Sequence, residues 1–112
     1  MAKQTPKVFS QLTRHAAELL GQLIQIKRKE RGLTSQELAT RAGISRSLLQ
    51  RIEKGDLSCS IGAVFEAASI CGVELFEADG NKLKTHLSRS QEKLSLLPIS
   101  VRKKVKAVKD DF

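Results

Sequence analysis

Between Thr34 and Glu53 the sequence TSQELATRAGISRSLLQRIE sets start and stop signals so close together that it has room only for two short helices and a tight turn. Thr34 can accept the amide of Glu37, and the Glu37 side chain can reach back to the Thr34 amide, a reciprocal cap that opens the first helix. Leu38, Ala39 and Ala42 then share its inner face. Gly43 stands where the chain must reverse, because a residue without Cβ tolerates positive φ, and Ser45 can cap a second helix that begins at about Arg46.

At about 100° per residue, Leu48, Leu49 and Ile52 gather on one side of that second helix and Arg46, Ser47, Gln50, Arg51 and Lys54 on the other. A polar face alone is the ordinary solvated side of an amphipathic helix. After a capped helix and a glycine turn at this spacing, it fits a helix-turn-helix whose second helix enters the major groove of DNA. Arginine can bond guanine bidentately, glutamine can do the same to adenine, and serine is a short adaptable donor. Arg46, Ser47, Gln50 and Arg51 are therefore the candidate base readers.

A chain of 112 residues supports one small domain with extensions. With no Trp, no Tyr and four Phe its core must be aliphatic, and the helical periodicities predict an all-α fold. No apolar run approaches the ~20 residues that cross a bilayer, so no membrane partner is expected. The opening MAKQTPKVFSQ lacks the apolar centre of a secretion signal, which predicts a cytoplasmic, nucleoid-associated protein with reduced cysteines. Cys59 and Cys71 have neither CxxC spacing nor a nearby histidine, and His15 and His86 are isolated. No metal, cofactor or catalytic triad is called for.

The net charge of +8 points to an anionic partner, yet it is unevenly spread. Residues 1–32 carry seven Lys/Arg against two acids and residues 98–112 five against two, while residues 33–76 carry four against five. Salt-sensitive attraction to phosphates would thus come from the arms, and the few cations of the central module must be placed rather than abundant.

Residues 1–18 are read as an N-terminal extension continuing into helix 1, 19–78 as the DNA-binding domain, 79–97 as a C-terminal helix and 98–112 as a basic, flexible tail. From Val8 to Arg31, apolar residues through Leu12, Leu19, Leu20, Leu23, Ile24 and Ile26 suggest one broad helical stripe that Gly21 could interrupt, with Ser10 or Thr5-Pro6 as a start signal and an end before Gly32. Its first half would need a partner. Ser60 can cap a helix with Ile61, Val64, Phe65, Ala68 and Cys71 inward. A short helix at Glu74–Ala78 would add Leu75 and Phe76 to the core, and Asp79-Gly80-Asn81 reads as a turn before the narrow stripe Leu83, Leu87, Leu94 and Leu97, closed by Pro98. In the tail, Val105, Val108 and Phe112 follow Val101 at helical spacing and are candidate partner-binding residues.

Residues 20–76, with GLT before the first reading helix, ELA within it, AGIS at the turn, RIEKG at the end of the second and a G-V-x-L-F exit, resemble the Cro and phage-repressor, or Xre, family. The resemblance implies a five-helix Cro/repressor-like domain that binds double-stranded, palindromic operator DNA as a homodimer. It also implies a pairing of Arg28 with Glu53, and helical projection puts each about 40° from a buried neighbour, Ile24 and Leu49. Candidate phosphate contacts are Ser35, Gln36, Ser45, Lys54 and Ser60. Two departures stand out: Ser35 holds a place where the family often has glutamine, and Asp56, Leu57 and Cys59 occupy a loop that is commonly basic.

The long first helix, the stretch SIGAVFEAASICGVELFEAD and the ending LLPISVRKKVKAVKDDF look like HipB-like antitoxins, regulators that accompany HipA-like kinase toxins. That implies a repressor of its own type II toxin-antitoxin operon which also neutralises the kinase. A stand-alone phage-type or chromosomal repressor is the alternative, and a protein-interaction adaptor or coactivator without base readout is an alternative of another class. An enzyme is not expected, since no nucleophile, base or phosphate-binding glycine loop is assembled.

Overall fold

The computed structural model describes residues 8–103. Among them are the helices α1 (Gln11–Glu30), α2 (Ser35–Ala42), α3 (Arg46–Glu53), α4 (Ile61–Cys71) and α5 (Gly80–Ser95), a 3-10 turn at Leu75–Glu77, and no strand. Local chemistry sets most of the boundaries. The side chains of Ser10, Thr34, Ser45, Ser60 and Asp79 each accept a backbone N–H at the head of the helix that follows. At α2 the cap is reciprocal: Thr34 Oγ1 accepts the Glu37 N–H at 3.0 Å, and the Thr34 N–H donates to Glu37 Oε1 at 2.8 Å. Gly43 ends α2 at φ 71°, in the left-handed region, which lets the Ile44 N–H turn back to the Ala39 carbonyl at 3.0 Å.

The cap has a pH signature. The Thr34 N–H holds the Glu37 carboxyl below its ordinary range, with the Thr34 hydroxyl adding to the effect. A carboxylate depressed in the folded state contributes stability above its unfolded pKa, near 4.3, and loses it as pH falls through the depressed folded value. The melting temperature is therefore expected to decline between about pH 5 and pH 3. Glu37→Gln should flatten part of that decline, as a Tm series against pH would show; an unaltered slope would remove Glu37 as a contributor.

The described residues divide into two compact units between Glu77 and Ala78. In the first, α2 packs on α3 and α4, and α1 packs on α3 and α4. Ile24, Leu38, Ala39, Leu49, Ile52, Ala67, Ala68 and Cys71 form the buried centre, with Leu20, Leu48, Val64 and Leu75 among the half-buried residues around it. Three of the eight central residues are alanines, and their small side chains let α2 and α4 approach closely.

Several expectations need correction. Of the two start signals, Ser10 is the one that caps α1, so the helix begins at Gln11 and Val8 and Phe9 precede it; it runs without a break through Gly21, which is buried where α1 meets the end of α3. Its apolar stripe is not a single buried face: Ile24 is enclosed and Leu20 half-buried, whereas Leu12, Leu19, Leu23 and Ile26 are exposed. The short helices α3 and α4 that pack on α1 cannot cover an arc that wide. In α4, Ile61 is exposed and Ala67 takes an inward place not foreseen for it. Beyond α4, no α-helix spans Glu74–Ala78. Phe76 there adopts φ 58°, a left-handed conformation costly for a bulky residue, and its side chain is 74 % exposed while Leu75 packs inward.

The second unit contains α5, none of whose residues is buried. Asp79-Gly80-Asn81 is a helix start rather than a separate turn, because Asp79 Oδ1 accepts the Lys82 N–H at 2.9 Å and so nucleates the first turn over Gly80 and Asn81. Leu87, Leu94 and Leu97 are exposed. Of the tail candidates, Val105, Val108 and Phe112 lie outside the described residues.

Candidate nucleic-acid interface

Leu49 and Ile52, at 0 % and 2 % exposure, anchor α3 to the core. On the opposite side Arg46, Ser47, Gln50, Arg51 and Lys54 are all exposed. At about 100° per residue these five span an arc of about 140°, so they form one face rather than a scatter. A helix eight residues long with its apolar side enclosed presents that face as a rigid unit.

Its two edges meet different neighbours. Toward α1 and the start of α2, Gln50 and Lys54 line a polar depression of about 280 Å³ together with Gln25, Ser35, Arg28 and Glu53. The structure thus brings the phosphate candidates Ser35 and Lys54 beside the candidate reader Gln50. Gln25 also lines this depression and was not singled out in the sequence, since on α1 it is one polar residue among many. Gln36 is exposed on α2 with its amide donating to Thr40 Oγ1 at 3.1 Å. The Oγ atoms of Ser45 and Ser60 accept the N–H groups of Leu48 and Ala63, and each hydroxyl proton can still be donated outward.

Beneath the depression, Arg28 and Glu53 form a bidentate pair. Nε donates to Oε2 at 2.8 Å and Nη2 to Oε1 at 3.0 Å, while Nη1 donates to the Leu33 carbonyl at 3.0 Å. The side chains are 9 % and 7 % exposed. Hydrogen bonding to Glu53 raises the Arg28 pKa against the opposing effect of burial, so the guanidinium stays charged. This pair ties α1, the α1–α2 loop and the last turn of α3 into one frame, which sets the direction in which α3 points.

At the other edge Arg51 is exposed yet engaged. Its Nε donates to Asp56 Oδ2 at 2.8 Å and its Nη2 to Ser58 Oγ at 2.7 Å. The bond from Arg51, followed by those from the Ser58 N–H and hydroxyl, holds the Asp56 carboxyl well below the usual carboxylate range. Sequence reasoning registered Asp56 only as an oddity of the loop. The signal was an acid five residues after an arginine and directly past a glycine, but α-helical geometry pairs residues three and four apart, so the contact depends on the fold of the loop.

Among the described residues no group of three His, Cys, Asp or Glu side chains is placed to hold a metal ion. The Cys71 thiol is buried in the core, and burial pushes its pKa up; Cys59 is half-buried. No helix of the described residues is long and apolar enough to cross a membrane.

Residues 24–77, which span α2, the turn, α3 and α4 with the second part of α1, match the helix-turn-helix family described as HTH_3. The chain carries a helix-turn-helix domain. The matched segment is a domain of the Cro/C1 type, and the fold around it is all-helical and Cro/repressor-like. The first part of α1 and the whole of α5 lie outside the matched region. No curated protein matches the chain.

Proposed function

We propose that this helix-turn-helix protein is a sequence-specific transcriptional repressor that binds a palindromic operator as a two-fold dimer, with α3 in the major groove. The observation that carries the reading is the joint exposure of Arg46, Ser47 and Gln50 on a helix whose opposite residues, Leu49 and Ile52, are enclosed. Ser35 and Lys54 beside Gln50 would hold phosphates on either side of that groove, with Gln36, Ser45 and Ser60 as further phosphate contacts. Half-sites one helical turn apart, ~34 Å, follow from a symmetric dimer.

The finer reading is the antitoxin of a type II operon that represses its own promoter and neutralises a HipA-like kinase. It is supported by the resemblance of the regions flanking the domain, and by the exposed Leu87, Leu94 and Leu97 of the second unit, which offer apolar surface to a partner. Co-expression with a kinase-like product of the adjacent reading frame tests it. Co-purification with loss of kinase activity supports the reading, and failure of both leaves a stand-alone repressor.

For the DNA part, the full chain is titrated by fluorescence anisotropy against a duplex covering its own promoter and against a scrambled duplex. Arg46→Ala is expected to cost about 1 to 3 kcal/mol on the promoter duplex, roughly 5- to 150-fold, and far less on the scrambled one. Equal losses on both duplexes would make Arg46 a phosphate contact and end its assignment as a base reader.

A further inference from the structure

The hydrogen bonds of Arg51 use its guanidinium selectively. Of five N–H donors, Nε–H goes to Asp56 and one Nη2–H to Ser58, which is the long edge of the planar group. The ring is closed on itself: the Ser58 hydroxyl donates to Asp56 Oδ1 at 2.7 Å and the Ser58 N–H to the same oxygen at 2.8 Å. By count this leaves the two N–H groups of Nη1 and the second one of Nη2. The outer pair, one from each nitrogen, forms an end-on fork, and the Arg51 side chain remains 48 % exposed.

Two parallel donors at that spacing match O6 and N7 of guanine in the major groove. A long, freely rotating arginine must be ordered before it can read a base; here the loop has already ordered it, which lowers the entropic cost at binding. Asp56 also places a negative charge next to α3, where it penalises any duplex that offers only phosphates. Both effects raise the ratio of specific to non-specific binding.

We propose that Asp56 and Ser58 are positioning residues that hold Arg51 as a preset guanine reader at the α4-side edge of the recognition face. This rests on the DNA-reading function put forward above and adds to it the base and the residues that select it.

The test is selection of a randomised duplex library by the full-length protein, followed by anisotropy on the enriched duplex. Wild type should enrich a motif with a G·C pair in each half-site whose preference disappears in Arg51→Ala. In Asp56→Ala and Ser58→Ala, preference for that guanine should fall about tenfold or more, while positions dependent on Arg46 and Gln50 keep theirs and scrambled DNA binds equally or more tightly. Replacing the guanine with 7-deazaguanine, which lacks the N7 acceptor, should weaken wild type about tenfold and the Asp56→Ala protein hardly at all.

Circular dichroism melts confirm that the variants are folded, and Ser58→Ala keeps the ion pair should Asp56→Ala disturb the loop. Uniformly tighter binding of Asp56→Ala to every duplex, with base preferences intact, would overturn the proposal and make Asp56 a simple repulsive charge. A wild-type motif with no Arg51-dependent guanine would overturn it alone. Enrichment of no motif would overturn the DNA-reading function, and this with it.

Discussion

Glu53→Ala should lower the stability of the helix-turn-helix unit by about 3 to 5 kcal/mol, the range found when one partner of a buried ion pair is removed. At about 4–8 °C per kcal/mol for a domain of this size, the melting temperature would fall by well over 10 °C. The cost is not mainly the lost attraction. The Arg28 side chain is 9 % exposed, and without Glu53 its Nε and Nη2 donors lose their protein acceptors in a largely enclosed site, with only the Leu33 carbonyl left to its guanidinium. Because the penalty is that of a stranded charge, replacing both partners with apolar residues of similar size should recover much of it: Arg28→Met with Glu53→Leu is expected to be more stable than Glu53→Ala alone. A Tm of Glu53→Ala within 2–3 °C of wild type, less than about 1 kcal/mol, would deny the pair its structural role.

Gly21→Leu is the second large effect, and here two principles oppose each other. Glycine inside a helix is less favourable than alanine or leucine by about 1 kcal/mol, so propensity alone predicts a gain. Packing predicts the reverse. A Cβ on Gly21 would lie 2.5 Å from the Ile52 carbonyl oxygen and 2.7 Å from that of Glu53, and those atoms belong to backbone that cannot rotate away. Overpacking of this kind costs roughly 1–3 kcal/mol and sometimes more, and leucine adds three further carbons to the clash. We expect a net loss of about 3 kcal/mol for Gly21→Leu and a net loss even for Gly21→Ala, read from urea midpoints at constant m-value. Gly62 provides the control, since a Cβ there meets nothing within 4 Å, and Gly62→Ala should be neutral or mildly stabilising. A raised midpoint for Gly21→Ala would mean that α1 and α3 do not approach so closely.

These two positions separate what a one-dimensional reading can find from what it cannot. Arg28 and Glu53 could be singled out because the family resemblance implies their pairing and helical projection, which sets each beside a buried neighbour, agrees with it, while their meeting depends on how α1 crosses α3. Gly21 was legible only as a possible interruption of α1, since glycine in isolation signals weakness of the helix and carries no information about a neighbour 32 residues away. Phe76 shows the same limit: its apolar character argued for the core, but the left-handed backbone that turns the chain leaves the ring outside. The Arg51–Asp56–Ser58 ring escaped because the loop after Gly55 follows no helical period.

By itself the sequence determined the caps, the glycine reversal at Gly43 and the two-sided character of α3, because each rests on interactions within about four residues along the chain. Tertiary structure decided which of the α1 leucines were enclosed, how near α1 and α3 could come, and which edge of the Arg51 guanidinium Asp56 and Ser58 engage. Those outcomes are set by contacts between segments far apart in the chain, whose distances and directions exist only once the helices have packed.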